Sequence, residues 1–265
     1  DHPNGYRLAA GQRLMNPYLM RGLGLADESG LNLVVAPDDE AAESSTIKLS
    51  PRPYGETQFV GVAQLRERTP LSASRPEPMW WTRAGESDEI VYVSYQSSRL
   101  DAFGFFRSVL KEIRDDRTTR VIIDIRANSG GASIAGTRFA ARLGRIRRLK
   151  DPGSIFVLIG PRTFSSGMML AVDLMDETDA LFIGEPLAET PTSWGEVTRF
   201  PLPNSELMIG TSTKLFRYGR GKDLRTDQDG VIVPDILIRR TFDQYLAGVD
   251  PVLDAAISFD PPGDR

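Results

Sequence analysis

The chain has 265 residues, of which 40% are apolar and 26% are charged, and its formal net charge is −4. This is the composition of a folded globular protein, so a disordered or fibrous chain is excluded. The absence of cysteine excludes disulfides, thiolate catalysis and zinc sites built on cysteine. No extended basic face is available to neutralise a phosphate backbone, so nucleic acid is not an expected partner.

The first predicted elements are a short helix and a hairpin. Asn16 and Pro17 form a helix start, with asparagine as the cap and proline at the first helical position. The extended segments 31–35 and 46–49 flank an acidic, small-residue tip at 38–45. This pattern predicts a hairpin with a long loop.

A change of pattern near residue 89 predicts two regions. Residues 51–88 are rich in proline and lack periodicity, which indicates an irregular bridge. We therefore predict an N-terminal region over 1–88, with the helix, hairpin and bridge, and a main domain over 89–265. The chain begins at Asp1 with neither a methionine nor a signal-type segment, so we interpret 1–88 as the tail end of a longer protein's upstream part. No apolar run is long enough to span a bilayer.

From residue 89 onwards, strand and helix patterns alternate. The apolar runs predict strands at 90–95, 121–126, 155–159 and 180–183, and helices between them that include 133–146 and 166–176. Repeated strand-helix units indicate an α/β fold with a largely parallel sheet, whose functional loops lie beyond the C-terminal ends of the strands. The remaining predictions are a strand at 206–213, a turn at 229–235 into a short strand, and a final helix opened by Asp250-Pro251.

The first motif of chemical interest follows the second of these strands. It is the segment 124–131, which ends in the glycine pair Gly130 and Gly131. Paired glycines let the backbone turn sharply and leave its N–H groups pointing outward, as an oxyanion hole or a phosphate cradle requires. An ordinary strand-to-helix turn is the alternative.

The second motif lies between the next strand and its helix. Ser165 and Ser166 open an amphipathic helix there, so their hydroxyls lie over a helix N-terminus. The free N–H groups and the helix dipole at this point favour a developing negative charge, which suits a nucleophile. The alternative is that one serine only caps the helix.

Together these motifs resemble the tail-specific (C-terminal-processing) serine peptidase family. There the elements D-L-R-x-N-x-G-G, a serine-rich turn, G-E-P and G-V-x-P-D recur in this order. The matching positions here are Asp124, Arg126, Asn128, Gly130, Gly131, Thr163 to Ser166, Gly184-Glu185-Pro186, Gly230-Val231 and, after one inserted residue, Pro234-Asp235. The resemblance covers residues 89–258 and implies a crotonase-like fold.

The resemblance also implies roles for single residues. Ser165 matches the family's nucleophile. Ser166 would supply one oxyanion N–H group, and Gly130 or Gly131 would supply the other. Asp176 falls where the family often has an acidic or amide residue after the nucleophile's helix. A carboxylate that only caps the end of this helix is the alternative there.

One part of the family pattern is missing. The family's usual base is a lysine a few residues after G-E-P, and here the segment 187–190 (Leu-Ala-Glu-Thr) takes its place. The one histidine, His2, is not expected to act as the base. The carboxylates Glu185, Asp223 and Asp227 remain as candidates for orienting or proton-accepting roles, with surface or turn carboxylates as the alternative.

Two further side chains near the last motifs are ambiguous. The amine of Lys214, at the end of a predicted strand, could approach the site or could be solvated. Trp194 could form a pocket wall or could pack against the sheet.

The sequence thus predicts a serine hydrolase of the tail-specific peptidase type that cleaves a peptide or protein through an acyl-enzyme on Ser165. Two alternatives stay open. One is a non-catalytic relative that binds a peptide or an apolar ligand, which the missing lysine and histidine favour. The other is an acyl hydrolase or acyl-transfer enzyme with a non-peptide substrate. No cofactor or metal is expected. The missing base suggests that an upstream segment or a partner chain completes the site, and the resemblance favours a secreted or cell-envelope location.

Overall fold

The computed structural model of the protein describes residues 16–36, 43–50 and 62–260. These residues fall into two compact units, one that ends at Leu65 and one that begins at Arg66. Within the described ranges, no helix is both long enough and apolar enough to cross a membrane.

The smaller unit contains the predicted helix and hairpin. Helix α1 (Pro17–Gly22) begins where the side chain of Asn16 accepts a hydrogen bond from the N–H of Leu19. Strands β1 (Leu31–Val35) and β2 (Ser45–Leu49) pair in antiparallel fashion. Both predictions are confirmed, although the predicted hairpin tip lies largely outside the described residues.

The larger unit is a mixed α/β fold around one six-stranded sheet. The strands of the whole unit, including two outside this sheet, are β3 (Met79–Ala84), β4 (Ile90–Tyr95), β5 (Arg120–Asp124), β6 (Ile155–Ile159), β7 (Leu181–Gly184), β8 (Thr192–Pro201), β9 (Met208–Arg217) and β10 (Ile236–Leu237). Its helices are α2 (Ala102–Ile113), α3 (Ile134–Leu143), α4 (Ser166–Glu177), α5 (Phe242–Leu246) and α6 (Pro251–Ser258).

The central sheet has the strand order β10-β7-β6-β5-β4-β3. Strands β4, β5, β6, β7 and β10 run parallel, whereas β3 pairs antiparallel to β4 at one edge. The inner strands are buried on both sides, which explains why they read as continuous apolar runs. The predicted strands at 90–95 and 155–159 are confirmed with the same bounds.

The two faces of the sheet have different cover. Side chains such as Val93, Ile123 and Val157 pack with α2, α3 and α4 in one apolar core. Their neighbours along the strands, such as Ile122 and Phe156, pack with α6 in a second core. Strand alternation therefore divides each apolar run between the two cores. The C-terminal ends of all the parallel strands lie on the same side of the sheet, and the functional loops were predicted there.

Two strands were missed by the sequence prediction. Strand β3 lies in the segment 51–88 that was expected to be irregular, so that expectation is wrong for residues 79–84. Strands β8 and β9 form a separate antiparallel hairpin, of which only 206–213 was predicted as strand. The larger unit already begins at Arg66, whereas the predicted division lay between residues 88 and 89. The assignment of the two predicted regions to different parts of a longer protein stays a prediction.

The Asp-x-Arg part of the first motif joins the sheet to α6. Arg126 donates to the buried carboxylates of Asp124, at 2.6 Å, and of Asp250, at 2.8 Å. Tyr92 adds a hydrogen bond of 2.8 Å to Asp124, and Asp250 caps α6 through the N–H of Leu253. These motif residues therefore stabilise the fold beneath the sheet edge.

The ion-pair network around Arg126 predicts that the protein loses stability at low pH, because Asp250 then becomes protonated. Burial raises the pKa of this carboxyl, but the hydrogen bonds and charge of Arg126 outweigh burial and lower the pKa to about 2. Since the unfolded value is about 3.9, the stabilisation is present above about pH 4 and is lost as the pH falls to about 2. The effect is on the order of 2 kcal/mol of unfolding free energy.

Urea unfolding followed by circular dichroism at several pH values tests this prediction. D250N, which can still cap α6, is expected to be less stable than wild type at neutral pH and to approach wild type near pH 2. D116N, which alters an exposed carboxylate, is the matched control and is expected to follow wild type. Equal unfolding free energies of D250N and wild type at pH 7 would contradict this account.

Candidate active site

Ser165 lies in the turn between β6 and α4, directly before the first helical residue. Its backbone has φ 53° and ψ −120°, in the region that residues with a side chain rarely adopt. Such a conformation costs on the order of 1–3 kcal/mol and persists only where surrounding contacts impose it. The contacts of this turn therefore determine where the serine hydroxyl lies.

Asn128 is the centre of those contacts. Its carbonyl oxygen accepts the N–H of Phe164 at 2.9 Å, so it fixes the residue before the serine. Its buried amide donates to the carbonyl of Tyr95 at 2.8 Å and accepts the N–H of Gly130 at 3.0 Å. One asparagine thus ties the glycine turn after β5 and the serine turn after β6 to the end of β4.

The buried Thr163 hydroxyl adds a second tie between β5 and the serine turn. It donates to the carbonyl of Ile125 at 2.9 Å and accepts the N–H of Gly160 at 3.2 Å. The threonine of the Thr-Phe-Ser-Ser segment therefore shapes the turn, because its hydroxyl is fully used inside the protein.

Glycine is required where the two turns meet. Gly130 has φ 104°, and a Cβ atom there would lie 2.6 Å from Cβ and 3.0 Å from Oγ of Ser165. Gly131 has φ 130°, and its Cβ would lie 2.1 Å from the carbonyl oxygen of Ser98. Gly130 therefore lies against Ser165, and Gly131 lies against Ser98.

The free backbone donors at this site belong to Ser166 and Gly131. The N–H of Gly130 is already used by Asn128. Within the described residues, no acceptor takes the N–H of Ser166, which is the first of the helix, or the N–H of Gly131. The Ser166 hydroxyl donates to the carbonyl of Gly131 at 2.6 Å, so these two residues are held together.

Glu189 reaches Ser165 from the segment after β7. Its side chain is largely buried; Oε2 accepts the N–H of Ser165 at 2.5 Å and Oε1 accepts the hydroxyl of Ser193 at 2.8 Å. Burial raises the pKa of this carboxyl, and the two hydrogen bonds oppose the rise. The sequence prediction did not select Glu189, although it lies in the segment that replaces the family's lysine.

The other predicted carboxylates lie elsewhere. Asp176 is eleven residues beyond Ser165 on α4, about 16 Å along the helix, and pairs with Lys222 at 2.9 Å. Glu185 lies 3.7 Å from Arg239 in an exposed ion pair. Among the described residues, neither side chain forms a hydrogen bond or an ion pair with a residue of the serine turn.

Asp227 and Asp235, two of the acidic residues near the last motif, form hydrogen bonds within the fold. Asp223 is exposed, and Asp227 accepts the backbone N–H groups of its own turn. Arg225, two residues after Asp223, pairs with Asp235 at 2.7 Å, and Asp235 accepts the N–H of Phe182. Asp235 directly precedes β10 and Phe182 lies in β7, so these contacts hold β10 beside β7. This part of the motif therefore has a structural use.

The remaining candidates have simple locations. Lys214 lies in β9 with its ammonium group 4.8 Å from the ring centroid of Phe216, and Trp194 is exposed on β8. His2 lies outside the described residues. In the part of the chain that the structure describes, no three side chains of the types that bind metals come together in a potential metal site. The prediction of no metal or cofactor stays a prediction.

No family profile matches the chain, and no curated protein sequence matches it. Among solved structures, one similar protein is described as an S41 protease from Bacteroides fragilis NCTC 9343; identity is 10%, coverage is 86% of this chain and 62% of that one, and the TM-score is 0.46. A photosystem II D1 C-terminal processing protease is 15% identical, with coverage of 85% of this chain and 61% of that one and a TM-score of 0.46. A protein from Parabacteroides merdae ATCC 43184 that is described as a peptidase is 18% identical, with coverage of 96% of this chain and 87% of that one and a TM-score of 0.47. The chain spans less than two thirds of the first two proteins.

The close approach of the two turns predicts a specific effect of Gly130→Ala. The alanine would have an unfavourable φ and would also collide with Ser165. Gly221→Ala is the matched control, because Gly221 has φ 81° but open space around its Cβ position. The control is expected to lose roughly 1–2 kcal/mol through backbone strain alone. G130A is expected to lose more, as measured by thermal or urea unfolding; equal losses would show that the turns are not in contact.

Proposed function

We propose that the protein is a serine hydrolase that cleaves peptide bonds through an acyl-enzyme on Ser165. The observation that carries this proposal is the placement of the Ser165 hydroxyl. It belongs to a residue held at φ 53° before a helix and lies against Gly130, and the N–H groups of the neighbouring Ser166 and Gly131 have no acceptor among the described residues. Strained backbone and unused donors in one place are typical of a nucleophile beside an oxyanion site.

In the proposed reaction, Ser165 Oγ attacks the carbonyl carbon of the scissile bond while its proton passes to a base. The carbonyl oxygen becomes negatively charged and is stabilised by the N–H groups of Ser166 and Gly131, together with the N-terminal dipole of α4. Collapse of this intermediate breaks the C–N bond, and the amine leaves with a proton. Water then cleaves the ester of the acyl-enzyme and restores the serine.

The finer features of this proposal rest on the family resemblance in the motifs. We propose a crotonase-like arrangement, supported by the successive strand-helix units from β4 to β7. We also propose that the larger unit, which begins at Arg66 and includes β3, forms the peptidase-like core, and that a peptide or protein is the substrate. An upstream segment or a partner chain would then contribute to gripping that substrate.

One observation favours a second candidate, a non-catalytic relative that binds a peptide or an apolar ligand. Among the described residues, no lysine or histidine forms a hydrogen bond with Ser165. The usual nitrogen base of a serine hydrolase is therefore absent from these contacts. An acyl hydrolase with a non-peptide substrate would use the same site geometry and differs only in the pocket.

Covalent labelling by a fluorophosphonate separates catalysis from binding. We expect one adduct on the wild-type chain, located at Ser165 by peptide mapping, because the oxyanion donors stabilise the phosphonyl oxygen as they would a tetrahedral intermediate. S165A is expected to lose the adduct and to lose hydrolysis by a factor on the order of 10³ or more. S129A, which removes an exposed neighbouring hydroxyl, is expected to behave as wild type.

Labelling that persists in S165A would contradict the assignment of the nucleophile. Absence of any wild-type adduct, combined with saturable binding of a peptide library, would favour the non-catalytic relative. A panel of peptides and simple esters then identifies the acyl group, since turnover of esters without turnover of any peptide would support the non-peptide hydrolase.

A further inference from the structure

Glu189 is the one acidic or basic side chain that contacts Ser165 among the described residues. Its Oε2 atom accepts the N–H of Ser165 at 2.5 Å. The segment that carries it replaces the lysine of the family pattern. We propose that Glu189 is the base that takes the proton of the Ser165 hydroxyl. This inference rests on the proposed hydrolase function and supplies the proton acceptor which that function lacks.

The geometry allows the transfer after a small rearrangement. The carboxylate already contacts the backbone nitrogen of Ser165, and only Cα and Cβ separate this nitrogen from Oγ. By bond lengths, Oε2 therefore lies within about 6 Å of Oγ, whichever rotamer the serine adopts. Catalytic hydrogen bonds are commonly long before substrate binds and shorten in the substrate complex. Rotation of the serine about χ1 is the movement we expect.

The surroundings of Glu189 suit a base better than those of the other buried carboxylates. Among the described residues, its hydrogen-bond partners are the N–H of Ser165 and the hydroxyl of Ser193, and no described side chain forms an ion pair with it. Burial raises the pKa of Glu189, whereas the positive charge of the N-terminal amine also acts on this carboxyl and lowers its pKa. By contrast, Arg126 holds the pKa of Asp250 at about 2 against the effect of burial. A carboxylate with a raised pKa binds a proton more readily and is the stronger base.

The proton balance closes within the site. As the bond between Ser165 Oγ and the carbonyl carbon forms, the O–H bond breaks and Glu189 becomes a neutral acid. This acid donates the same proton to the leaving nitrogen when the C–N bond breaks. In the second half, Glu189 takes a proton from the attacking water and returns it to Ser165 Oγ as the ester bond breaks. No co-reactant besides water is needed.

The alternative role for Glu189 is purely structural, namely holding the strained backbone of Ser165. Glu189→Gln distinguishes the two roles, because the amide oxygen can still accept the N–H of Ser165 but the amide cannot take a proton. Glu196→Gln is the matched control: Glu196 has an exposed side chain on β8, seven residues further along the chain. Circular dichroism and thermal unfolding check that both variants fold.

The experiment measures the rate of fluorophosphonate labelling of Ser165 from about pH 4 to about pH 9 in the full chain. For wild type, we expect the rate to rise with pH as Glu189 loses its proton, with an apparent pKa above the usual glutamate value of about 4.3, and then to reach a plateau. E189Q is expected to react slower by a factor of about 10² to 10⁴ and to lack this rise. E196Q is expected to keep the wild-type rate and profile.

Each outcome decides a different point. If E189Q is labelled at the wild-type rate with the wild-type profile, Glu189 is not the base, while the proposed hydrolase function stands. If wild type is never labelled at any pH, the hydrolase function itself fails and this inference fails with it. If E189Q does not fold, the wild-type profile decides alone: a flat rate, or one that still rises towards about pH 9 without a plateau, overturns the inference.

Discussion

The site depends on one constraint, the positive φ of Ser165 before α4. A serine does not adopt this backbone conformation unless its neighbours impose it. Here Asn128 binds the preceding residue, Glu189 binds the serine's own N–H, and Gly130 leaves the space that a side chain would fill. The same contacts fix the backbone that carries the serine hydroxyl, and the next backbone N–H has no acceptor among the described residues. The positions of the proposed nucleophile and of the proposed oxyanion donors therefore both depend on this turn.

The motif residues divide into those that build this turn and those that stabilise the fold beneath it. The side chains of Asn128 and Thr163 form hydrogen bonds with backbone groups and so define the conformation of the loops. Arg126 forms ion pairs with two buried carboxylates, and these pairs join the sheet to α6. At the serine turn, the hydrogen bond from the N–H of Ser165 joins the residue with the hydroxyl to the carboxylate of Glu189. This division explains why a motif that is polar throughout supplies so few groups for chemistry.

The sequence predicted the parallel strands of the central sheet and the turn that carries Ser165, but not the edge strand β3. Strands such as β4 and β6 are buried on both sides, so their apolar runs are unambiguous. Strand β8 was missed because both of its faces are largely exposed, and its sequence lacks a burial pattern. Asp176 was selected by the family resemblance, but the helical rise puts it about 16 Å along the helix from Ser165, where it pairs with Lys222. Glu189 was not selected because its contact joins segments that are 24 residues apart, and such contacts depend on the fold.

The most direct test of the account is a crystal structure of the protein after phosphonylation by a fluorophosphonate. The account predicts a covalent bond from Ser165 Oγ to phosphorus and a phosphonyl oxygen within about 3 Å of the N–H groups of Ser166 and Gly131. The backbone of Ser165 should keep its positive φ. A phosphonyl oxygen that points to solvent, or a serine turn that relaxes to an ordinary helical start, would contradict the account.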